Sequence, residues 1–251
     1  DDVHEVYAQW REVFNSYDPP RTAVAEAWVS PERVPLYASP TSLGQSFNFD
    51  LLESDYDAEQ FARVVTKNLA LAERTGSSST WVLSNHDVVR HATRYGVERS
   101  PHDPAPSRHG GQWLLDGGDE SKLDRVRGAR RARAATVFML GLPGSAYLYQ
   151  GEELGLHEVA DLAAEQRQDP TFFRTHGAEI GRDGCRVPLP WQANGPSFGF
   201  GSAGAHMAQP QWFAGYAAAE QAADALSTLS LYRRALALRR ELQTEETLEW
   251  V

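Results

Sequence analysis

The chain has a single cysteine, Cys185, in 251 residues, so no intrachain disulfide can form and a cytoplasmic home is the simplest expectation. It also lacks an excess of positive charge. Against 24 Lys and Arg stand 34 Asp and Glu, a formal net charge of −10. Binding a phosphate backbone needs a basic face, so no nucleic-acid partner is expected. No apolar run approaches the roughly 20 residues of a membrane span, and no charged-then-apolar leader opens the sequence. Membrane insertion is therefore not expected. Repeats, low-complexity tracts and linkers that would mark a second domain are missing too. Metal-binding patterns are equally scarce. His86 and His91 lie five apart, on different faces of a helix, and with Asp87 they match no ligand spacing. Neither a metal nor a cofactor is expected.

What is present alternates. An amphipathic helix spans residues 1–14 (Val3, Val6, Tyr7, Trp10, Val13, Phe14), with Asp1 and Asp2 favourable at its positive end. Asp18-Pro19-Pro20 breaks it. Strands are expected over 22–28, 45–52, 80–83 and 145–149, with a turn at Ser30-Pro31-Glu32 after the first. A helix spans 57–74, with a stripe of Phe61, Val64, Val65, Leu69 and Ala72 and Gly76 past its end. Another spans 121–140, and Ser227 caps a last one carrying Leu229, Tyr232, Leu236 and Leu242. A polar loop runs from about 95 to 119, and a long irregular segment from about 151 to 205. Strands alternating with helices mean parallel β/α units, and four of them make half of an eightfold barrel. Half a barrel has two open edges that need covering.

The polar residues at the strand ends carry the chemistry. Trp81-Val82-Leu83 runs into Ser84-Asn85-His86-Asp87, and Ala23-Val24-Ala25 runs into Glu26-Ala27-Trp28. In a β/α-barrel the C-terminal strand tips form the catalytic face. Two acids on separate tips are the minimum kit for cleaving a glycosidic bond. Glu26 alone reads as readily as a strand-end carboxylate in a salt bridge, although its apolar flanks and Trp28 would favour a protonated general acid. A helix cap would explain Asp87, but not three polar residues in a row. Glu152 and Glu153, after Tyr149-Gln150-Gly151, read as caps of the next segment. Arg186, in Arg182-Asp183-Gly184-Cys185-Arg186-Val187-Pro188-Leu189-Pro190-Trp191, suits sugar hydroxyls beside an indole, or a loop salt bridge. Cys185 has no evident base beside it and reads as passive.

Taken in order, four motifs make the chain resemble the α-amylase family of glycoside hydrolases, most of all its α-glucosidase and oligo-1,6-glucosidase branch. They are Glu26-Ala27-Trp28, Ser84-Asn85-His86-Asp87, Leu142-Pro143-Gly144 with Tyr149-Gln150-Gly151-Glu152-Glu153, and residues 181–191. The segments 45–52 and 230–234 fit that branch too. The resemblance implies a retaining mechanism on a TIM-type β/α-barrel. Glu26 would be the general acid/base, Asp87 the transition-state-stabilising acid, His86 a contact to the sugar, and Arg186 a residue near bound substrate. The substrate would be an α-linked disaccharide or oligosaccharide. The strands would be the fifth to eighth of the barrel, and residues 1–251 its C-terminal half with no second domain.

The family's nucleophile, an Asp within Gly-x-Arg-x-Asp on the fourth strand, has no counterpart here. The fragment is therefore expected to need an N-terminal half and to be inactive alone. Transferring or isomerising relatives, which form trehalulose or trehalose, share every motif quoted. Non-catalytic relatives that serve as accessory subunits keep the barrel but lose the acids.

Overall fold

The computed structural model describes residues 2–30, 32–103, 109–243 and 247–250. The expectations placed on Asp1, on Pro31 and on positions 104–108 of the polar loop lie outside the described residues. Two compact units emerge. One comprises Asp1–Val82, Gly141–Tyr147 and Gln243–Val251; the other comprises Leu83–Leu140 and Leu148–Leu242.

The first unit holds all four strands found among the described residues: β1 (Ala23–Ala25), β2 (Gly44–Ser46), β3 (Thr80–Val82) and β4 (Ser145–Tyr147). β1 pairs with β2 and β3 with β4, both in parallel, with Val24 opposite Gln45 and Trp81 opposite Ala146. Between the two pairs, Thr80 Oγ1 donates to the Ser46 carbonyl at 2.6 Å and accepts the Asn48 amide at 3.0 Å. Gln45 on β2 reaches past β3 to β4, donating to Ser145 Oγ at 2.6 Å and accepting the Tyr147 hydroxyl. Inward side chains from alternate strands meet in this way when a parallel sheet curls toward a barrel.

Each strand is shorter than its sequence pattern. After Ala25 and Ser46 the last ladder bond is Phe47 N to Ala25 O, 2.9 Å. The Asn48 side chain then accepts the Asp50 amide at 2.8 Å and turns the chain, so Phe47 and Phe49 are not strand residues.

Helix α1 (Asp2–Asn15) forms as expected but buries no residue. His4, Tyr7, Arg11 and Phe14 make its half-buried stripe, with Tyr37 against His4 and Arg11 donating to the carbonyls of Arg21, Ser42 and Leu43. The neighbouring stripe, Val3, Val6, Trp10 and Val13, is 43–56% exposed. A short α2 (Val34–Ala38) follows β1. Helix α3 (Ala58–Thr75) starts where the Asp57 side chain accepts the Gln60 amide and stops at Gly76, φ 63°, the left-handed position glycine fills without strain. Phe61 and Val65 are buried, and so is Asn68, whose amide group donates to Asp50 and to the Val64 carbonyl.

The second unit begins with a short α4 (His91–Arg94) and α5 (Gly111–Leu115), the latter set in the expected polar loop. Helix α6 (Arg125–Gly141) starts later than expected, because the Asp124 side chain, accepting the Arg127 amide at 2.8 Å, caps it. Residues 120–122 form a separate 3₁₀ turn capped by Asp119. The long segment after β4 is partly helical, with α7 (Pro170–Arg174) and α8 (Asp183–Arg186). Its core gathers Leu154, Leu156, Val159, Val187, Met207 and Phe213. Helix α9 (Ala218–Ala223) precedes α10 (Thr228–Leu242), whose Ser230 amide donates to Ser227 Oγ at 3.1 Å. Arg133 meets Thr228, Thr136 meets Tyr232 and Leu140 meets Arg239, so α6 and α10 run parallel, as helices of successive β/α units do. No helix among the described residues is long and apolar enough to cross a membrane.

Candidate active site

From β3 the chain enters the second unit at Leu83, and a sharp turn presents the expected pair. Asn85 Oδ1 accepts the Asp87 amide at 2.9 Å, an Asx turn that reverses the backbone. Ser84 is buried beneath it, its hydroxyl 2.7 Å from His91 Nδ1 and accepting the His91 amide at 3.1 Å. His86 and Asp87 are thereby lifted outward, with side chains 47% and 25% exposed. Asp87 caps no helix: α4 begins at His91, with Arg90 as its N-cap.

Two guanidinium groups converge on one oxygen of Asp87. Arg182 Nη1 donates to Oδ1 at 2.9 Å and Arg186 Nη2 at 3.0 Å. Arg186 Nε also donates to the His86 carbonyl at 2.8 Å, and His86 Nε2 lies 3.4 Å from the same Asp87 oxygen. Charge-assisted bonds of this kind fix the carboxylate's orientation. Of the two open readings of Arg186, the salt bridge forms, and its partner is the candidate acid. Cys185, between the two arginines, is buried and donates its thiol to the Arg182 and His86 carbonyls. Burial pushes that thiol well above its ordinary range, which makes it a poor nucleophile.

Arg90 holds the surrounding segments together. Its amide donates to Glu158, and its guanidinium donates to the carbonyls of Gln150 and Cys185 at 2.9 and 2.8 Å. The same guanidinium lies over the Tyr149 ring, 5.2 Å from its centroid. Behind the turn lies a buried polar cluster. Burial pushes Glu152 up to about 8 and Glu158 to about 7. It drives His91 down to about 3, with Arg94 and Arg90 adding to the effect, and His157 likewise to about 3. Near pH 7 the 3.9 Å approach of His91 to Glu152 is therefore a neutral imidazole facing a neutral acid, not an ion pair. Glu152 accepts from the Tyr232 hydroxyl at 3.3 Å. Glu153 does cap, taking the Gly151 amide at 2.7 Å.

Glu26 belongs to the first unit. It follows β1 directly and is exposed, while the indole of Trp28 stacks on Phe49 with centroids 3.9 Å apart. Phe49 leads on to Phe47 and Tyr147, so an aromatic row follows the strand ends. The second unit itself brings together His86, Asp87 and Arg186. Arg182, read from the sequence only as part of the 182–191 loop, joins them there, and so does Asp169, which was not singled out. The repeated arginine of residues 182–186 was the available signal for the first; nothing local marked the second.

A model of the alpha-amylase catalytic domain matches residues 111–247. The probable alpha-glucosidase of Rhizobium meliloti (strain 1021) is 30% identical over 240 residues, covering 94% of this chain and 38% of that protein. Maltase A1 of Drosophila melanogaster is 28% identical over 208 residues, covering 78% of this chain and 30% of that protein. Among solved structures, an alpha-glucosyl transfer enzyme aligns with a TM-score of 0.71 at 31% identity, over 94% of this chain and 38% of that one. The trehalose-6-phosphate hydrolase of Bacillus licheniformis aligns with a TM-score of 0.70 at 21% identity, over 96% of this chain and 44% of that one. The chain thus spans less than half the length of these relatives. Matched over more than half of its residues by that family's catalytic-domain model, it belongs to the alpha-amylase family.

Proposed function

We propose that the chain is the C-terminal half, strands five to eight, of the catalytic barrel of a retaining α-glucosidase. The observation that carries this reading is Asp87, lifted on a polar turn and held by two arginines through Oδ1. Both guanidinium groups fall on Oδ1, which leaves Oδ2 for a sugar hydroxyl. Asp87 acts as the acid that stabilises an oxocarbenium-like transition state, and Glu26 as the general acid/base. His86 donates to the sugar, and Arg186 steadies Asp87 beside it. The nucleophile is supplied by the N-terminal half, without which no glycosyl-enzyme intermediate forms. That half also covers the exposed apolar stripe of α1. Substrates are α-glucosides such as malto- or isomalto-oligosaccharides, in a cytoplasmic setting.

A second reading, glucosyl transfer, draws on the 31% identity to an alpha-glucosyl transfer enzyme. Product analysis with and without an added acceptor sugar separates the two. In the complete protein, Asp87→Asn should lower kcat about 10²–10³-fold or more while the protein stays folded. Glu26→Gln should abolish turnover of unactivated glucosides and leave their binding largely intact. Unchanged kcat in either variant sinks the corresponding assignment.

A further inference from the structure

Asp169 makes more bonds than a helix cap requires. Its side chain has no exposed surface, and Oδ1 accepts the Thr171 amide at 3.0 Å, which caps α7. Beyond Thr171, the carboxylate's bonds go to Arg182. Oδ2 accepts that residue's amide at 2.9 Å and its Nε at 2.6 Å, and Nη2 lies 3.2 Å from Oδ1. This is a two-point grip on the edge of a planar guanidinium. It leaves Nη1 to reach Asp87 Oδ1 at 2.9 Å. The Arg182 side chain is 38% exposed, so without the grip it would regain the rotamer freedom of a long surface side chain. The guanidinium in turn holds the Asp169 carboxyl well below the usual carboxylate range.

A neighbouring acid supplies the contrast. Asp183 is buried and accepts the amides of Gln168 and Asp169 at 3.1 Å. It staples the same segment, and its side-chain hydrogen bonds go to those amides rather than to Arg182 or Arg186.

We infer that Asp169 is a positioning residue for Asp87: by gripping Arg182 edge-on it aims Nη1 at Oδ1 and so sets the plane in which Oδ2 meets the sugar. The inference rests on the reading of Asp87 as an acid of the site. It makes Asp169, Arg182 and Asp87 one relay, with Arg186 as a second, independent hold on the same oxygen.

The test uses the complete protein, with p-nitrophenyl α-glucoside for turnover and glucose for binding by calorimetry. Asp169→Asn and Arg182→Ala should each lower kcat/KM by about 10–100-fold, the scale of an ångström-sized misplacement. The double variant should be no worse than Arg182→Ala alone, because the two act in series. Added guanidinium ion at millimolar concentration should partly restore Arg182→Ala only while Asp169 is present. Asp183→Asn should stay within about threefold of wild type. Equal losses in Asp183→Asn and Asp169→Asn, additive losses in the double variant, or rescue that ignores Asp169 would each overturn the inference. If the wild type binds glucose but turns over no glucoside, the glucosidase reading fails. The inference then stands or falls on whether Asp169→Asn and Arg182→Ala weaken glucose binding where Asp183→Asn does not.

Discussion

Glu152 and His91 face each other uncharged, and that pairing gives the stability a defined pH dependence. The Glu152 carboxyl is raised from 4.5 to about 8 by burial, with Glu153 adding repulsion and Tyr232 and Arg90 opposing it. A raised carboxyl contributes stability that is fully present below about 4.5 and is lost as pH rises through about 8. His91 has the opposite sign. Lowered from 6.5 to about 3, it contributes stability that is present above 6.5 and lost as pH falls toward 3. The complete protein should therefore lose stability in both directions. At roughly 1.4 kcal/mol per pH unit, the stability lost through Glu152 by pH 8 is on the order of a few kcal/mol. Chemical denaturation of Glu152→Gln between pH 5 and 9 should show a flattened alkaline slope. A slope equal to that of wild type would remove Glu152 as its source.

At the scale of elements, the packing of α6 turns on one glycine. A Cβ on Gly128 would stand 2.1 Å from the Ala92 carbonyl oxygen and 3.0 Å from Gly96 Cα, so α6 approaches the end of α4 backbone to backbone. Alanine favours a helix interior by about 1 kcal/mol over glycine, but here overpacking wins. Gly128→Ala should cost about 1–3 kcal/mol net, read from the urea midpoint; an unchanged or raised midpoint would contradict the close approach.

Helix α3 was legible almost to the residue, because Asp57 and Gly76 mark its ends chemically. The start of α6 was misplaced by four residues, because Asp124 sits among other polar residues that offer equally plausible caps. The strands read long because Phe47 and Phe49 keep a period of two after the ladder has ended. What stops them is the Asn48 side chain and the length of the partner strand, neither of which shows in a hydrophobic pattern. Of the site, Asp87, His86 and Arg186 were visible as polar residues where apolar or loop residues would serve. Arg182 meets Asp87 across 95 positions, and Asp169 acts only through that long-range contact, so neither could be placed before the chain folds.

The whole molecule is a family member that spans 38% of a probable alpha-glucosidase it matches over 94% of its own length. Its α1 carries an apolar stripe that the first unit leaves exposed. Both facts fit the half-barrel proposed above. Double displacement with net retention is read most directly from the anomer formed first. Maltose and isomaltose would be given to the complete protein and the products followed by proton NMR in the first minutes, before mutarotation. Release of α-glucose ahead of β-glucose is the predicted result. β-Glucose appearing first, or no glucose from any α-glucoside, would contradict the account.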